Sequence, residues 1–536
     1  MSGWARWTMS RRDLIRRGRD VGGALAAAAW LPGSRSTVRS PAPATDTADV
    51  YKSIGVRPLI NARGTYTIIS GSLMLPEVRA AMDAAAAHHV HLDELADAIG
   101  ARLATLTGAE WGLVTSGCAA ALTHATAACV AGGNPDLHVR IPHLAGFAKD
   151  EVIIPKHSRN VYDAAVRATG VRVLEVTTTA ELEAAAGPRT AMVYILAGPE
   201  ADAGPLDLKT IAGVARAREI PILVDAAAEI LTIPNVHLAN GATLVAYSGG
   251  KCLRGPQSAG LLLGRKDLVR AAWVHSAPHH GFGRAMKVGK EEAIGMLAAV
   301  ETWVKRDHDA EWKRWTASLD HIASRVSTIA GVRTSMVQPE GLSNRTPTLK
   351  VWWSRQQFGV SGDEIARTLF ETEPRIALFA AVPKDVGGTG VSVTPYMLSP
   401  GEQKIVADRL HSLLAGRSPR TTVDKPAPAA ADLTGLWDVR ITYAAGSSTH
   451  TFFLRQRDRT LDGAHQGDFV SRDLTGTVDG DAVRIRSTYT ERHGDALTFT
   501  FSGKIANDAM SGTLDMGEYL TAAWTAKRRS PTSTGS

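Results

Sequence analysis

Cysteine is scarce. Three residues, Cys118, Cys129 and Cys252, in a chain of 536 do not make a disulfide framework. Cys118 and Cys129 fall on one predicted helix, roughly 16 Å apart at about 1.5 Å per residue, too far to bridge each other. Aromatic residues are few as well, at 6%. The leader's apolar stretch, Val21 to Leu31, is rich in Gly and Ala and well short of the about 20 residues that a membrane-spanning helix needs. Basic charge is plentiful in total, with a formal net charge of +7, but it is concentrated at one end. Residues 1–40 hold eight arginines against two aspartates, a balance of +6, which leaves +1 for everything after Ser40. No basic stripe remains to follow a phosphate backbone, so composition argues against a nucleic-acid partner. Metal-ligand spacing is missing too. His88 and His89 are adjacent and point to different faces of any helix, so with His91 they make a poor zinc set.

What the first residues do hold is a leader. Ser10-Arg11-Arg12-Asp13-Leu14-Ile15-Arg16 places twin arginines ahead of Val21–Leu31, and Pro32, Gly33 and a polar Ser/Thr/Pro segment follow. This resembles a twin-arginine (Tat) export signal, with a plain basic tail as the alternative. The expectation is a folded cargo of the Tat export machinery with a periplasmic or extracytoplasmic location. The remainder has the makeup of a soluble globular protein, 44% hydrophobic and 21% charged, and is long enough for two or three cores.

The pattern divides the chain into residues 1–45 (signal and leader tail), 46–305 (large domain with an extended N-terminal segment), 306–416 (small α+β domain), 417–432 (linker) and 433–528 (antiparallel β domain). In the large domain short apolar runs alternate with helical patterns, the signature of βαβ units and a mostly parallel sheet. The predicted strands are Trp111–Thr115, Val152–Pro155, Val171–Val176, Ala191–Leu196, Pro221–Val224, Leu244–Tyr247 and Ala259–Leu263. A single long helix is expected from Lys290 to about Ala330. The Pro/Ala-rich linker is followed by six short alternating strands with Gly turns, which predict a small barrel or sandwich.

Two residues carry the chemistry. Asp225 ends the predicted strand Pro221–Val224, and ligands in open α/β sheets sit at such carboxyl ends. Pyridoxal phosphate (PLP) needs an anion against its pyridine nitrogen, and Asp225 supplies one; a helix N-cap is the other use of an aspartate there. Lys251 follows the next strand after Ser248-Gly249-Gly250, where glycines permit a tight turn that aims the lysine inward. Thr115-Ser116-Gly117-Cys118 joins a strand to a helix, so free N–H groups and the helix dipole can cradle a phosphate.

The runs TSGCAAAL, ILVDAAAE, YSGGKCLRGPQSAGLLLGRKDLV and GRAMKVGKEEAIGMLAAVE resemble the selenocysteine synthase-like branch of fold-type I PLP enzymes. That branch includes L-seryl-tRNA(Sec) selenium transferase and the D-glucosaminate-6-phosphate ammonia-lyase type. The likeness covers Val50 to Leu414 and is most specific around Lys251. It implies a three-layer α/β/α fold with a small α+β C-terminal subdomain, and a homodimer or higher homo-oligomer. It also implies Lys251 as the Schiff-base lysine, Asp225 at the pyridine nitrogen, and Ser116, Gly117, Cys118 and Ser248 at the phosphate. His157 would lie over the ring, or be a polar loop residue. Arg284, Lys287 and Lys290 are candidates for anion contacts, with a solvated basic face as the alternative. Arg375 could hold a substrate carboxylate, or be a surface arginine. The chain departs from selenocysteine synthase in its leader, in lacking the tRNA-binding N-terminal part and in its added β domain, so the ammonia-lyase type is the closer guide. A PLP lyase acting on an amino acid or amino sugar acid is expected. An aminotransferase of the same fold and a catalytically inactive envelope binding protein are the alternatives.

Overall fold

A computed structural model describes residues 47–381, 388–417, 427–490 and 496–529. The expected export signal and most of the linker lie outside the described residues. Two compact units divide at residue 58, Met1–Pro58 and Leu59–Ser536. In the first, the short helix Thr47–Ser53 turns at Gly55, which has φ +76°.

The second unit is built on a seven-stranded sheet: β1 (Trp111–Thr115), β2 (Glu151–Pro155), β3 (Arg172–Val176), β4 (Thr190–Leu196), β5 (Ile222–Asp225), β6 (Leu244–Ser248) and β7 (Gly260–Gly264). Their order is β1-β7-β6-β5-β4-β2-β3. All neighbours are parallel except β7, which runs antiparallel to both β1 and β6. β2, β5 and β7 are buried along their whole length, which is why they read as continuous apolar runs rather than alternating ones. Helix α1 (Cys118–Ala131) follows β1 and is buried on every face but one residue. Its sequence, CAAALTHATAACVA, shows how: small residues let it pack against the sheet on one side and its helical neighbours on the other.

The expected single helix after Lys290 is two helices, α2 (Lys290–Lys305) and α3 (His308–Val326). Asp307 breaks it, accepting a 2.9 Å bond from the Ala310 N–H and so capping α3. Arg306 beside it donates to the carbonyls of Cys252 and Leu253 at 3.1 and 3.3 Å.

A small subdomain carries a four-stranded antiparallel sheet: β8 (Arg333–Val337), β9 (Thr348–Ser354), β10 (Phe379–Ala381) and β11 (Gly388–Val393), in the order β10-β11-β9-β8. Helices Gly362–Glu371 and Glu402–Leu414 cover it; Ser361 and Glu364 form a reciprocal capping box at the first. The extended segment before the large sheet is tied in by Ile60–Asn61, which pairs in parallel with Ile376–Ala377.

Beyond the linker, eight strands from Gly435–Thr442 to Thr521–Arg528 close into an up-and-down antiparallel barrel around Trp437, Phe452, Phe501 and Trp524. Two strands, Thr460–Gln466 and Ala509–Asp515, are additional to the six read from sequence. Each has a glycine inside it, which weakens a strand signal. The barrel requires them: a Cβ on Gly463 would lie 1.8 Å from the Phe453 carbonyl oxygen, and one on Gly512 2.0 Å from that of Ser502. A polar chain enters the barrel at one end, running Tyr443–Ser448–His450–His465–Ser487 through side-chain hydrogen bonds of 2.7–3.0 Å.

Candidate active site

The carboxyl ends of β4, β5 and β6 and the start of α1 converge on Asp225, which is 2% exposed. Its carboxylate has three donors. The Tyr194 hydroxyl on β4 gives Oδ2 a 2.9 Å bond, the Ala227 N–H gives Oδ1 one of 3.1 Å, and the Cys118 thiol reaches Oδ1 at 3.6 Å. Behind Tyr194, Asn160 Nδ2 donates to the phenol oxygen at 3.0 Å and to the Ser158 carbonyl at 2.8 Å. Burial holds the Asp225 carboxyl above the usual carboxylate range, against the opposing pull of the Ala227 N–H, the Tyr194 hydroxyl and the positive charge of Lys251. Burial, reinforced by the Asp225 charge, likewise pushes the Cys118 thiol and the Tyr194 phenol up. Both are therefore neutral donors to the carboxylate. A buried carboxylate that can accept from a ring N–H, with a lysine close enough to influence it, is what a protonated pyridine ring needs.

Lys251 stands in the turn after β6. Gly249 and Gly250 let that turn pack tightly, since a Cβ on Gly249 would come within 2.8 Å of the Ala259 carbonyl and one on Gly250 within 2.8 Å of Gln257 Cα. The extended segment clamps the turn from outside, with the Ser72 N–H bonded to the Gly250 carbonyl at 2.9 Å and the Leu75 N–H to that of Arg254 at 3.2 Å.

The phosphate turn is equally constrained. Thr115 Oγ1 donates to the Gly117 carbonyl at 2.9 Å, and Gly117 has φ +86°. Gly260 opens β7 directly against it: a Cβ there would fall 2.3 Å from the Gly117 carbonyl carbon. The first N–H groups of α1 have no carbonyl a turn behind them and so face an anion position. PLP fits these residues at both of its polar ends.

The structure brings Asp225, Cys118 and Lys251 together, with Ser116 and Gly117 at the start of α1 and Ser248 at the end of β6. Cys118 differs from expectation in one respect: its thiol is aimed at Asp225, which leaves its N–H for a phosphate. His157 sits on a 3₁₀ turn after β2, its ring nitrogens 3.3 Å from the Leu206 carbonyl oxygen and 3.1 Å from Ser158 Oγ. Arg375 does not line the cavity that Ala228 and Cys252 border. Its guanidinium lies 3.9 Å over the Phe370 ring and donates to the Phe370 carbonyl at 2.9 Å. Arg284 and Lys287 are exposed on the segment before α2, while Lys290 pairs with Glu291.

The cavity next to Cys252 and Ala228, about 110 Å³, holds two other arginines, Arg63 and Arg345. Arg63 lies 4.2 Å over the Phe379 ring, and its buried Nε has no hydrogen-bond partner among the described residues. Such a guanidinium is suited to a carboxylate. Sequence reasoning missed Arg63, Arg345, Tyr194 and Asn160. None stands in a motif, and only the folding of distant segments brings them to one place.

No protein-family profile matches the chain. D-glucosaminate-6-phosphate ammonia lyase of Salmonella typhimurium is 30% identical over 376 residues, 68% of this chain and 98% of that protein. A solved structure of D-glucosaminate-6-phosphate ammonia-lyase superposes with a TM-score of 0.61 at 28% identity, covering 69% of this chain and 98% of that one. The 5'-C-glycyluridine monooxygenase-decarboxylase of a Streptomyces species is 33% identical over 310 residues, 55% of this chain and 75% of its own. L-seryl-tRNA(Sec) selenium transferase of Rhizobium meliloti is 32% identical over 288 residues, 47% of this chain and 57% of its own.

Proposed function

Because the chain belongs to the fold-type I PLP enzyme family that contains D-glucosaminate-6-phosphate ammonia lyase, we propose that it releases ammonia from an amino acid or amino sugar acid by α,β-elimination. The observation that carries the reading is the pairing of buried Asp225 with Lys251 at the strand ends, beside a cavity with two arginines. When bound, PLP supplies the electron sink for the charge left when a substrate Cα loses its proton. Asp225 keeps the ring nitrogen protonated, and Tyr194 and Asn160 hold Asp225 in place. The Lys251 amine takes the Cα proton and can return it. Arg63 and Arg345 orient the substrate carboxylate so that the Cα proton faces Lys251. A β-hydroxyl then leaves as water, and the released enamine becomes a keto acid and ammonia.

Two further readings accompany this one. The leader supports export, and a periplasmic or extracytoplasmic enzyme suits a one-substrate elimination that needs no second amino donor or acceptor. A homodimer is supported by the rim of the site, where Tyr66, Ile68 and Leu73 are exposed next to the clamp on the Lys251 turn; Ile68 is 83% exposed.

The test is a screen of amino acids and amino sugar acids with the purified PLP-loaded protein. The expected result is catalytic release of ammonia and keto acid from one substrate alone, abolished in a folded Lys251→Ala variant. A single turnover reversed only by an added keto acid would mean an aminotransferase. A borohydride-reducible cofactor bond retained in Lys251→Ala would refute the lysine assignment.

A further inference from the structure

A larger cavity of about 500 Å³ adjoins the one that holds Arg63, and Arg345 and Tyr396 line both. It is bounded by the loop Ile230–Ile233, by α3 and the end of α2, and by Arg345 and Tyr396. Its lining is unusual for a chain so poor in aromatics, because three of the twelve tryptophans meet here. Trp303 is fixed: its Nε1 donates to the Leu231 carbonyl at 2.8 Å, and the Arg306 guanidinium lies 5.0 Å over its ring. Trp312 and Trp315 stand three residues apart on α3, so they share a face. Their ring centroids are 6.1 Å apart, and Trp315 lies 5.0 Å from Tyr396.

Charge then narrows the occupant. An aromatic cage alone would suit a cation. Here the one lining carboxylate, Glu311, is already 3.8 Å from Arg306, while among the described residues Arg345 makes one long bond, 3.5 Å to the Gly341 carbonyl. The junction between the two cavities is therefore positive. Aromatic rings on several sides favour a flat ring at offset or edge-on geometry over an alkyl chain of similar size. A cavity of this size accommodates such a ligand.

We infer that this cavity is a subsite for a planar aromatic or heteroaromatic ring whose acidic group faces Arg345. It deepens the reading above, and rests on it only in taking the adjoining cavity as the place of the reacting amine. The substrate class becomes ring-bearing amino acids, with the ring seated against Trp312, Trp315 and Tyr396 and the amine directed toward Lys251.

Calorimetry on the full-length PLP-loaded protein tests it with three probes that lack an amine and so cannot react at Lys251: 3-indolepropionate, 3-indolepropionamide and heptanoate. The expected result is at least about tenfold tighter binding of 3-indolepropionate than of heptanoate. Trp312→Ala and Trp315→Ala should each remove most of that preference, and Trp315→Phe should retain it. Arg345→Gln should bring the acid down to the level of its amide while the ring preference persists. Thermal melts identify any variant that has not folded, in which case the wild-type comparison and Trp315→Phe decide. Equal affinity for the two acids, an undiminished preference in both alanine variants, or tighter binding of phenyltrimethylammonium than of 3-indolepropionate would overturn the inference. These outcomes are independent of whether ammonia is released, so failure of the lyase reading and failure of the subsite are separately visible.

Discussion

Replacing Tyr194 by Phe removes one oxygen and leaves the ring that fills the space between β4 and α1. The oxygen has two bonds, a 2.9 Å donation to Asp225 and a 3.0 Å acceptance from Asn160. A hydrogen bond to a buried charged group contributes about 1.5–3 kcal/mol, whereas neutral pairs are near 1 kcal/mol. Asn160 keeps its bond to the Ser158 carbonyl, so its loss is the smaller one. Tyr194 is among the groups that draw the Asp225 carboxyl down against burial. Without it that carboxyl rises further, and a larger share of the cofactor-free protein carries it protonated at neutral pH. Binding a protonated pyridine ring then requires removing that proton first. PLP affinity should fall roughly ten- to hundredfold, as 1.5–3 kcal/mol converts at about 1.4 kcal/mol per decade. The deficit should grow as pH falls. Spectrophotometric titration with PLP at two pH values measures it, and a denaturant melt of the cofactor-free protein separates affinity from folding. Asn160→Ala should cost less, and the double variant little more than Tyr194→Phe, because Asn160 acts on Asp225 through the phenol. Unchanged PLP affinity in Tyr194→Phe, with Asp225 intact, would refute the role assigned to the carboxylate floor.

Two other predictions concern the barrel. A chain ending near Arg420 should bind PLP with undiminished affinity, since the barrel closes on its own strands and its own core; failure to bind, or aggregation, would place the barrel in the enzyme core. The barrel should also be acid-sensitive. Burial holds the His465 imidazole down at about 3, against an ordinary 6.5, so between those values the unfolded chain binds a proton that the folded chain does not. Stability is therefore full above pH 6.5 and lost as pH falls toward 3, by about 2 kcal/mol between pH 7 and 5. Denaturant unfolding of a 427–529 fragment at the two pH values checks it, and equal stability would show that His465 is charged or unburied.

Much of the large domain was legible because most of its strands are buried on both faces and bounded by turns, so they read as short apolar runs; β3, where only Val176 is buried, reads instead from its alternation. Asp225 and Lys251 were legible for the same reason, as polar residues at the ends of such runs. What was not legible depends on register. Tyr194 reaches Asp225 only because β4 and β5 pair in parallel, with Leu196 opposite Asp225. Arg63 and Arg345 belong to segments far apart in the chain and on opposite sides of the large domain's sequence. The break at Asp307 escaped because helical patterns stand on both sides of it; the signals present were the polar run Lys305–Asp309, where the apolar periodicity lapses, and an acidic side chain able to cap the next turn. The two barrel strands that were missed, Thr460–Gln466 and Ala509–Asp515, hold no Val, Ile, Phe, Tyr or Trp, so they lack the side chains by which a strand is read.

The same physics explains why the site is where it is. A carboxylate as buried as Asp225, held by two neutral side-chain donors and one N–H, is costly to keep ionised in the empty protein, and an apolar residue there would pack at lower cost. Ring-nitrogen protonation in a bound cofactor reverses that balance, because it supplies the positive charge that the pocket lacks except for Lys251. Ligand binding to the folded state alone contributes about 2.7 kcal/mol when the ligand stands at 100 times its dissociation constant. The instability built into Asp225 and the affinity for PLP are thus two readings of one interaction. The tight glycine contacts around it, at Gly249, Gly250 and Gly260, hold Lys251 and the phosphate turn at fixed distance from that charge.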